Sequence, residues 1–160
     1  MGPLIGLYDS TSSALVGTYD WGTIKAQTPT PVLTIQVWNN KNGKDDVSDL
    51  KEPQIEVLDS NGLTADTDVP KFKWVQVNIP SVDGNNSTWT QVGGSTVKFL
   101  RAVGVAAADG NIIKGTVNDG IANTIGSKVN YTEINIKVHV PLNAVPGTKS
   151  WKMRLTGYYV

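Results

Sequence analysis

Apolar and polar side chains alternate with a period of two along much of the chain, which places successive side chains on opposite faces of a strand. The cleanest run is Ile134, Ile136, Val138 and Val140, interleaved with Glu133, Asn135, Lys137 and His139. Beyond a connection at 141–149, Trp151, Met153 and Leu155 alternate with Lys152, Arg154 and Thr156. The spacing predicts that these two strands pair antiparallel and turn their apolar faces to one core. Leu33, Ile35 and Val37 alternate with Thr34, Gln36 and Trp38, and shorter runs follow around Ile55, Val57, Val75, Val77 and Ile79.

Turn chemistry falls between these runs. Asn42-Gly43, Asn61-Gly62, Asp83-Gly84 and Asp109-Gly110 are pairs that tolerate positive φ at low steric cost. No helical stripe is sustained, and the short Ala106 to Ala108 run goes straight into Asp109-Gly110. Sixteen glycines and eight prolines suit loops rather than a helical bundle. The expectation is an all-β, antiparallel sandwich of about seven to nine strands. Residues 1–20 are expected to form an N-terminal arm or an extra edge strand, and residues 21–160 the sandwich.

Composition narrows the chemistry. At 160 residues the chain suits one domain with a single core. Fourteen basic residues balance fourteen acidic ones, so the field that phosphate-backbone binding needs is missing, and nucleic acid is not an expected partner. Without cysteine there is no disulfide framework, thiolate metal site or cysteine nucleophile, and a lone histidine cannot build a multi-histidine centre. No apolar run is long enough for a spanning helix, so no membrane partner is expected either. The opening residues, Met-Gly-Pro-Leu-Ile-Gly-Leu-Tyr-Asp, lack the basic and apolar regions of a signal peptide.

Two stretches carry a resemblance. Asp20-Trp21-Gly22-Thr23-Ile24, followed by an apolar strand ending at Trp38-Asn39-Asn40, resembles the opening of many bacterial and viral immunoglobulin-like domains. Val140-Pro141-Leu142-Asn143-Ala144-Val145-Pro146-Gly147-Thr148, leading into Trp151-Lys152-Met153-Arg154-Leu155, resembles their closing strands. The pattern differs from antibody domains, which flank a core tryptophan with paired cysteines. The resemblance implies an immunoglobulin-like sandwich, and cysteine-free domains of this kind with a last strand such as Leu155-Thr156-Gly157-Tyr158-Tyr159-Val160 look similar to accessory structural proteins of tailed phages. It further implies a virion location, or synthesis from a prophage in the bacterial cytoplasm before assembly. Partners would then be copies of the chain itself or other virion proteins.

Candidate chemistry is sparse. His139 would be the natural general base of an enzyme, yet it sits on the polar face of a strand with no nucleophile elbow beside it. Acidic residues crowd residues 45–68, where eight acids face only Lys51, a net of −7. Among them Asp59, Asn61, Asp66 and Asp68 are weak calcium candidates, lacking the spaced ligands and closing Glu of a calcium loop. Residues 98–160 carry a net of +5. Opposed fields of this kind would steer head-to-tail association, unless folding intermixes the two segments.

Aromatic side chains offer contact area. Trp89 sits in the polar stretch Asn85-Asn86-Ser87-Thr88-Trp89-Thr90-Gln91, where it would either stack on a sugar or anchor an interface, or fold back as a lid. Trp38 lies out of phase with its apolar neighbours and would need covering by the arm or by another subunit. Trp74, Tyr158 and Tyr159 complete the set of candidate binding residues. The expected function is a non-enzymatic structural or binding module with no cofactor. The alternative is a carbohydrate-binding module that meets a surface glycan through its aromatics, with calcium assisting.

Overall fold

The computed structural model describes residues 1–63, 67–85 and 87–159. Among the described residues period-two alternation becomes nine antiparallel strands in two sheets, joined by irregular loops, two single-turn α-helices and a 3-10 turn. In the first sheet the order is β1 (Ile5–Asp9), β2 (Leu33–Asn39), β8 (Tyr131–Val138), β4 (Val75–Asn78) and β5 (Thr90–Val92). The second is built on β3 (Leu50–Asp59), which pairs with β9 (Trp151–Tyr158) along one side. Two short strands, β6 (Lys98–Phe99) and β7 (Ile112–Ile113), share its other side.

Both sheets contribute to one core. Ile35, Val37, Val75, Val77, Ile134, Ile136 and Val138 from the first sheet meet Leu50, Ile55, Val57 and Ile113 from the second. Each such side chain contributes about 1.5–3 kcal/mol when fully buried. Trp21, Ile24 and the inward side chains of β9 pack half-buried against this core. Trp21 stacks on Trp151 with ring centroids 5.6 Å apart.

One expectation about pairing is overturned. β8 and β9 do not pair with each other: β8 lies between β2 and β4, and β9 is bonded to β3 in the other sheet. The 141–149 connection crosses between sheets, so the two strands share a core without sharing a ladder. Amphipathic alternation specifies which face is buried but leaves the hydrogen-bonding neighbour open.

Two short helical turns also break the all-strand reading. α1 (Asp68–Lys71) and α2 (Pro80–Asp83) have one turn each. Pro80 opens α2, where its missing N–H is harmless. Asp83 closes it back by accepting a hydrogen bond from Ile79 N at 2.9 Å. The four turn pairs behave as their residues require, with positive φ at Asn42, Gly62, Gly84 and Gly110. The β3–β9 ladder carries a bulge between Lys51 and Gln54, where Glu52 sits at φ 44°. Gly157 lies opposite it. A Cβ there would come within 2.9 Å of Leu50 Cδ1 and 3.0 Å of the Lys51 carbonyl oxygen.

Trp38 and Trp74, two of the candidate binding residues, are both buried, Trp38 under the arm as one of its two expected covers. Trp74 is 4% exposed and belongs to the core. Trp38 is fully buried on the outer face of the first sheet, stacked on Tyr131 at 4.6 Å between ring centroids. Its indole N–H donates to Gln36 Oε1 at 3.0 Å. The loop after β1 supplies the cover: the Ser12 hydroxyl donates to Gln36 Oε1, and Lys41 donates to the Ser12 carbonyl. Lys41 Nζ also lies 4.2 Å above the Tyr8 ring. Asp9 holds that loop by accepting from Thr11 N and Ser13 N, each at 3.0 Å, and from the Thr11 hydroxyl at 2.7 Å. These bonds, the Thr11 hydroxyl foremost, depress the Asp9 carboxyl to about 2. The opening segment is thus an edge strand plus a flap over what would otherwise be a wet sheet face.

Candidate binding surfaces

Among the described residues the molecule presents three surfaces that combine exposure with a fixed scaffold. The most heavily braced is the loop 115–130 between β7 and β8. Four buried carboxamides stitch it to the end of β2. Asn130 Nδ2 donates to the carbonyls of Thr116 (2.8 Å) and Lys114 (2.9 Å), while its Oδ1 accepts from the Thr116 hydroxyl at 3.0 Å. Asn40 Nδ2 donates to Asp45 O and Gly115 O, both at 2.8 Å. Asn118 Nδ2 donates to Asn40 O at 2.8 Å, and its Oδ1 accepts from Asn42 N at 3.1 Å. Asn39 Nδ2 reaches Ser48 O and Ile113 O. Amides suit this role because one side chain can both donate to carbonyls and accept from N–H groups that no ladder satisfies.

The tip of the same loop is tied by Asp119. Its Oδ1 accepts from the Ser127 hydroxyl at 2.6 Å, the Ile121 N–H at 3.0 Å and the Thr124 hydroxyl at 3.0 Å. Tyr131 anchors the loop from below, donating to Asn123 Oδ1 at 2.9 Å while accepting from Asn123 N at 3.2 Å. Burial pushes the Tyr131 hydroxyl above its usual pKa. What this bracing displays is apolar: Val117 is 50%, Ile121 61% and Ile125 94% exposed. Side chains as exposed as these add little to the chain's own core.

Acid should loosen this tip. The Ser127 hydroxyl, then the Ile121 N–H and the Thr124 hydroxyl, hold the Asp119 carboxyl below its ordinary value of 3.8. A carboxyl depressed on folding stabilises the native state above its unfolded pKa, and that contribution disappears as pH falls through the lower folded value. Amide exchange at Ile121 and Ser127, corrected for intrinsic rates, is therefore expected to stay flat over about pH 5–8 and to accelerate below about pH 4. Flat protection through that acid range would refute the role given to Asp119.

The second surface centres on Trp89. Asn78, buried at the end of β4, donates to Gly84 O at 3.1 Å and Thr88 O at 2.8 Å, holding both residues against the first sheet. Asn86 itself lies outside the described residues. Trp89 is half-buried, with Lys137 Nζ 3.9 Å from its ring centroid. Gln76 lies opposite both Gln91 and Lys137 in the ladders beside it. The third surface is the end of β9, where Tyr158 is 57% and Tyr159 61% exposed.

The acidic candidates are distributed by other needs. Asp59 is buried and its Oδ1 accepts from Asn61 N (2.7 Å) and Leu63 N (2.9 Å), which makes it the organiser of the turn after β3. Asn61 is exposed at that turn, and Asp68 is paired with Lys149 at 2.7 Å. Asp66 lies outside the described residues. No group of three or more metal-ligating side chains comes together among the described residues.

Folding also intermixes the charged segments. Glu56 meets Arg154 at 2.7 Å and Asp68 meets Lys149 at 2.7 Å, so both ion pairs join the acidic stretch to the basic one. The β3–β9 ladder sets Glu56 opposite Arg154, and the mixing undercuts steering by separated fields. His139 lies just past β8, half-buried, with its backbone N–H donating to Trp74 O at 2.9 Å. An open groove of about 510 Å³ runs along Leu15, Tyr19 and Val32 beside β1. No helix among the described residues is long and apolar enough to cross a membrane.

The sequence reading passed over Ile121 and Ile125. Their signal is present, in Val117-Asn118-Asp119-Gly120-Ile121-Ala122-Asn123-Thr124-Ile125-Gly126, as isolated apolar residues set among turn-formers. No family model, curated protein or solved structure matches the chain.

Proposed function

We propose that the chain is a non-enzymatic binding module of immunoglobulin-like architecture that works as an accessory structural protein of a phage or prophage particle. The observation carrying this reading is the braced 115–130 loop, which fixes Ile121 and Ile125 in solvent. Binding loops on a rigid sandwich are how such folds meet partners, and exposed aliphatics on a preorganised loop lose little entropy on docking.

Strand order supports the immunoglobulin-like part. The order across the sheet, β1-β2-β8-β4, parallels the A-B-E-D sheet of that scheme, and the pairing of β3 with β9 parallels its C–F pair. The short β5, β6 and β7 then fall within the stretch joining strands D and E. The likeness of a cysteine-free domain closing on Leu155-Thr156-Gly157-Tyr158-Tyr159-Val160 to accessory proteins of tailed phages supports the particle assignment.

Particles sedimented from a lysate of a producing strain are expected to retain the chain through a density gradient, detected with an antibody raised against it. A chain left wholly in the soluble fraction would refute the assignment.

A glycan-binding reading draws on one observation, the half-buried Trp89 against Lys137, whose ladder partner Gln76 also faces Gln91. Amides and a flat indole are what sugar recognition uses. A glycan array that responds to the chain, and loses the response on Trp89→Ala, would favour it over the particle reading.

A further inference from the structure

We propose that two copies of this chain associate by pairing β9 with β9 antiparallel across a twofold axis, joining their second sheets into one. The inference rests on the reading of the chain as a binding module and names its partner. β9 is the longest edge strand of the molecule at eight residues, and β3 is its only paired strand among the described residues. No loop or turn backbone bond reaches it there either. The first sheet treats its edges differently: β5 is three residues long, and β1 is capped by its own return segment through Val16 N to Leu7 O and Asp9 N to Ala14 O. An unpaired edge of this length is a template for another strand.

The strand's own sequence selects a second copy as the occupant. In antiparallel pairing about Leu155, Lys152 faces Tyr158 of the other copy and Arg154 faces Thr156, while Met153 faces Gly157. Lys152 then meets an aromatic ring, a long side chain meets the position without one, and Arg154, held by Glu56 of its own chain, meets no like charge. Pairing about Arg154 would set that guanidinium against itself, and pairing about Met153 would set Lys152 against Arg154. The ends of β9 are thus complementary to each other: cationic first, aromatic last. Tyr158 remains 57% exposed in the single chain, as a contact in waiting would be.

Sedimentation equilibrium of the purified full chain tests this. A monomer–dimer equilibrium is expected. Tyr158→Lys, which places an ammonium opposite Lys152 twice per dimer, should weaken it by about tenfold. Adding Lys152→Glu should restore association by turning both repulsions into attractions. As a second probe, Leu155→Cys gives the otherwise cysteine-free chain a thiol on the axis. Mild oxidation is then expected to cross-link it to a dimer, whereas Phe99→Cys, at the far side of the sheet, stays monomeric. A chain monomeric at every concentration, or a dimer indifferent to Tyr158→Lys, would overturn the inference. Either result leaves particle retention, the test of the binding-module reading, to be judged separately.

Discussion

Asp83→Ala is expected to destabilise the protein by about 3–5 kcal/mol, the range found when one partner of a buried ion pair is removed. Lys98 Nζ lies 2.6 Å from Asp83 Oδ1, with the two side chains only 12% and 8% exposed. The same carboxylate accepts from Ile79 N through its other oxygen, so its loss frees a helix terminus as well as a cation. Thr90 Oγ1, 3.1 Å from Lys98 Nζ, cannot compensate for a missing negative charge. Urea denaturation should show the midpoint falling with an unchanged slope. Adding Lys98→Met should recover much of the loss, because an apolar side chain needs no counter-charge. A single-variant loss under about 1 kcal/mol would mean that water reaches the pair freely.

Asn130→Ala is expected to cost a similar amount, about 3–5 kcal/mol. Truncation leaves the Lys114 carbonyl and the Thr116 hydroxyl without their partner beside a fully buried side chain, while the Thr116 carbonyl keeps Asn118 Nδ2 at 3.0 Å. Each buried group left unsatisfied costs about 1–3 kcal/mol. Asn130→Asp separates the chemistry from the packing. It keeps the shape but exchanges a donor for an acceptor facing two carbonyls, so it should be no better than alanine near neutral pH. Calorimetry supplies the stabilities, and hydrogen exchange should place the damage in residues 115–130. An Asp variant as stable as the native chain would contradict the donor role of the carboxamide.

Both residues show where sequence reading stops. Faces of strands were legible wherever Val and Ile alternate, as in Ile134, Ile136 and Val138, because a half-buried strand has no other way to place them. The turn pairs were legible for a similar local reason. The β8–β9 relationship was not, since two amphipathic strands can share a core from opposite sheets. Trp38 and Gln36 were correctly phased to the outer face, but the flap held by Asp9 lies more than twenty residues away and turns that face into interior. Asp83 read as half of a turn pair, and nothing local couples it to Lys98.

The candidate surfaces divide along the same line. Trp89, Tyr158 and Tyr159 stood out by residue type, and all three remain at least half-exposed or partly open at the surface. Ile121 and Ile125 did not, because isolated aliphatics among Asn, Asp and Gly carry no period. Their exposure depends on Asn118, Asp119 and Asn130 acting together, a constraint written across three dimensions rather than along the chain.

That dependence offers the most direct test. The double variant Ile121→Ser, Ile125→Ser removes the displayed aliphatics and leaves every bracing side chain in place. The account predicts a folding stability within about 0.5 kcal/mol of the native chain, as for other surface changes, together with loss of the chain from gradient-purified particles. Full retention of the variant on particles, or a large fall in its stability, would contradict it.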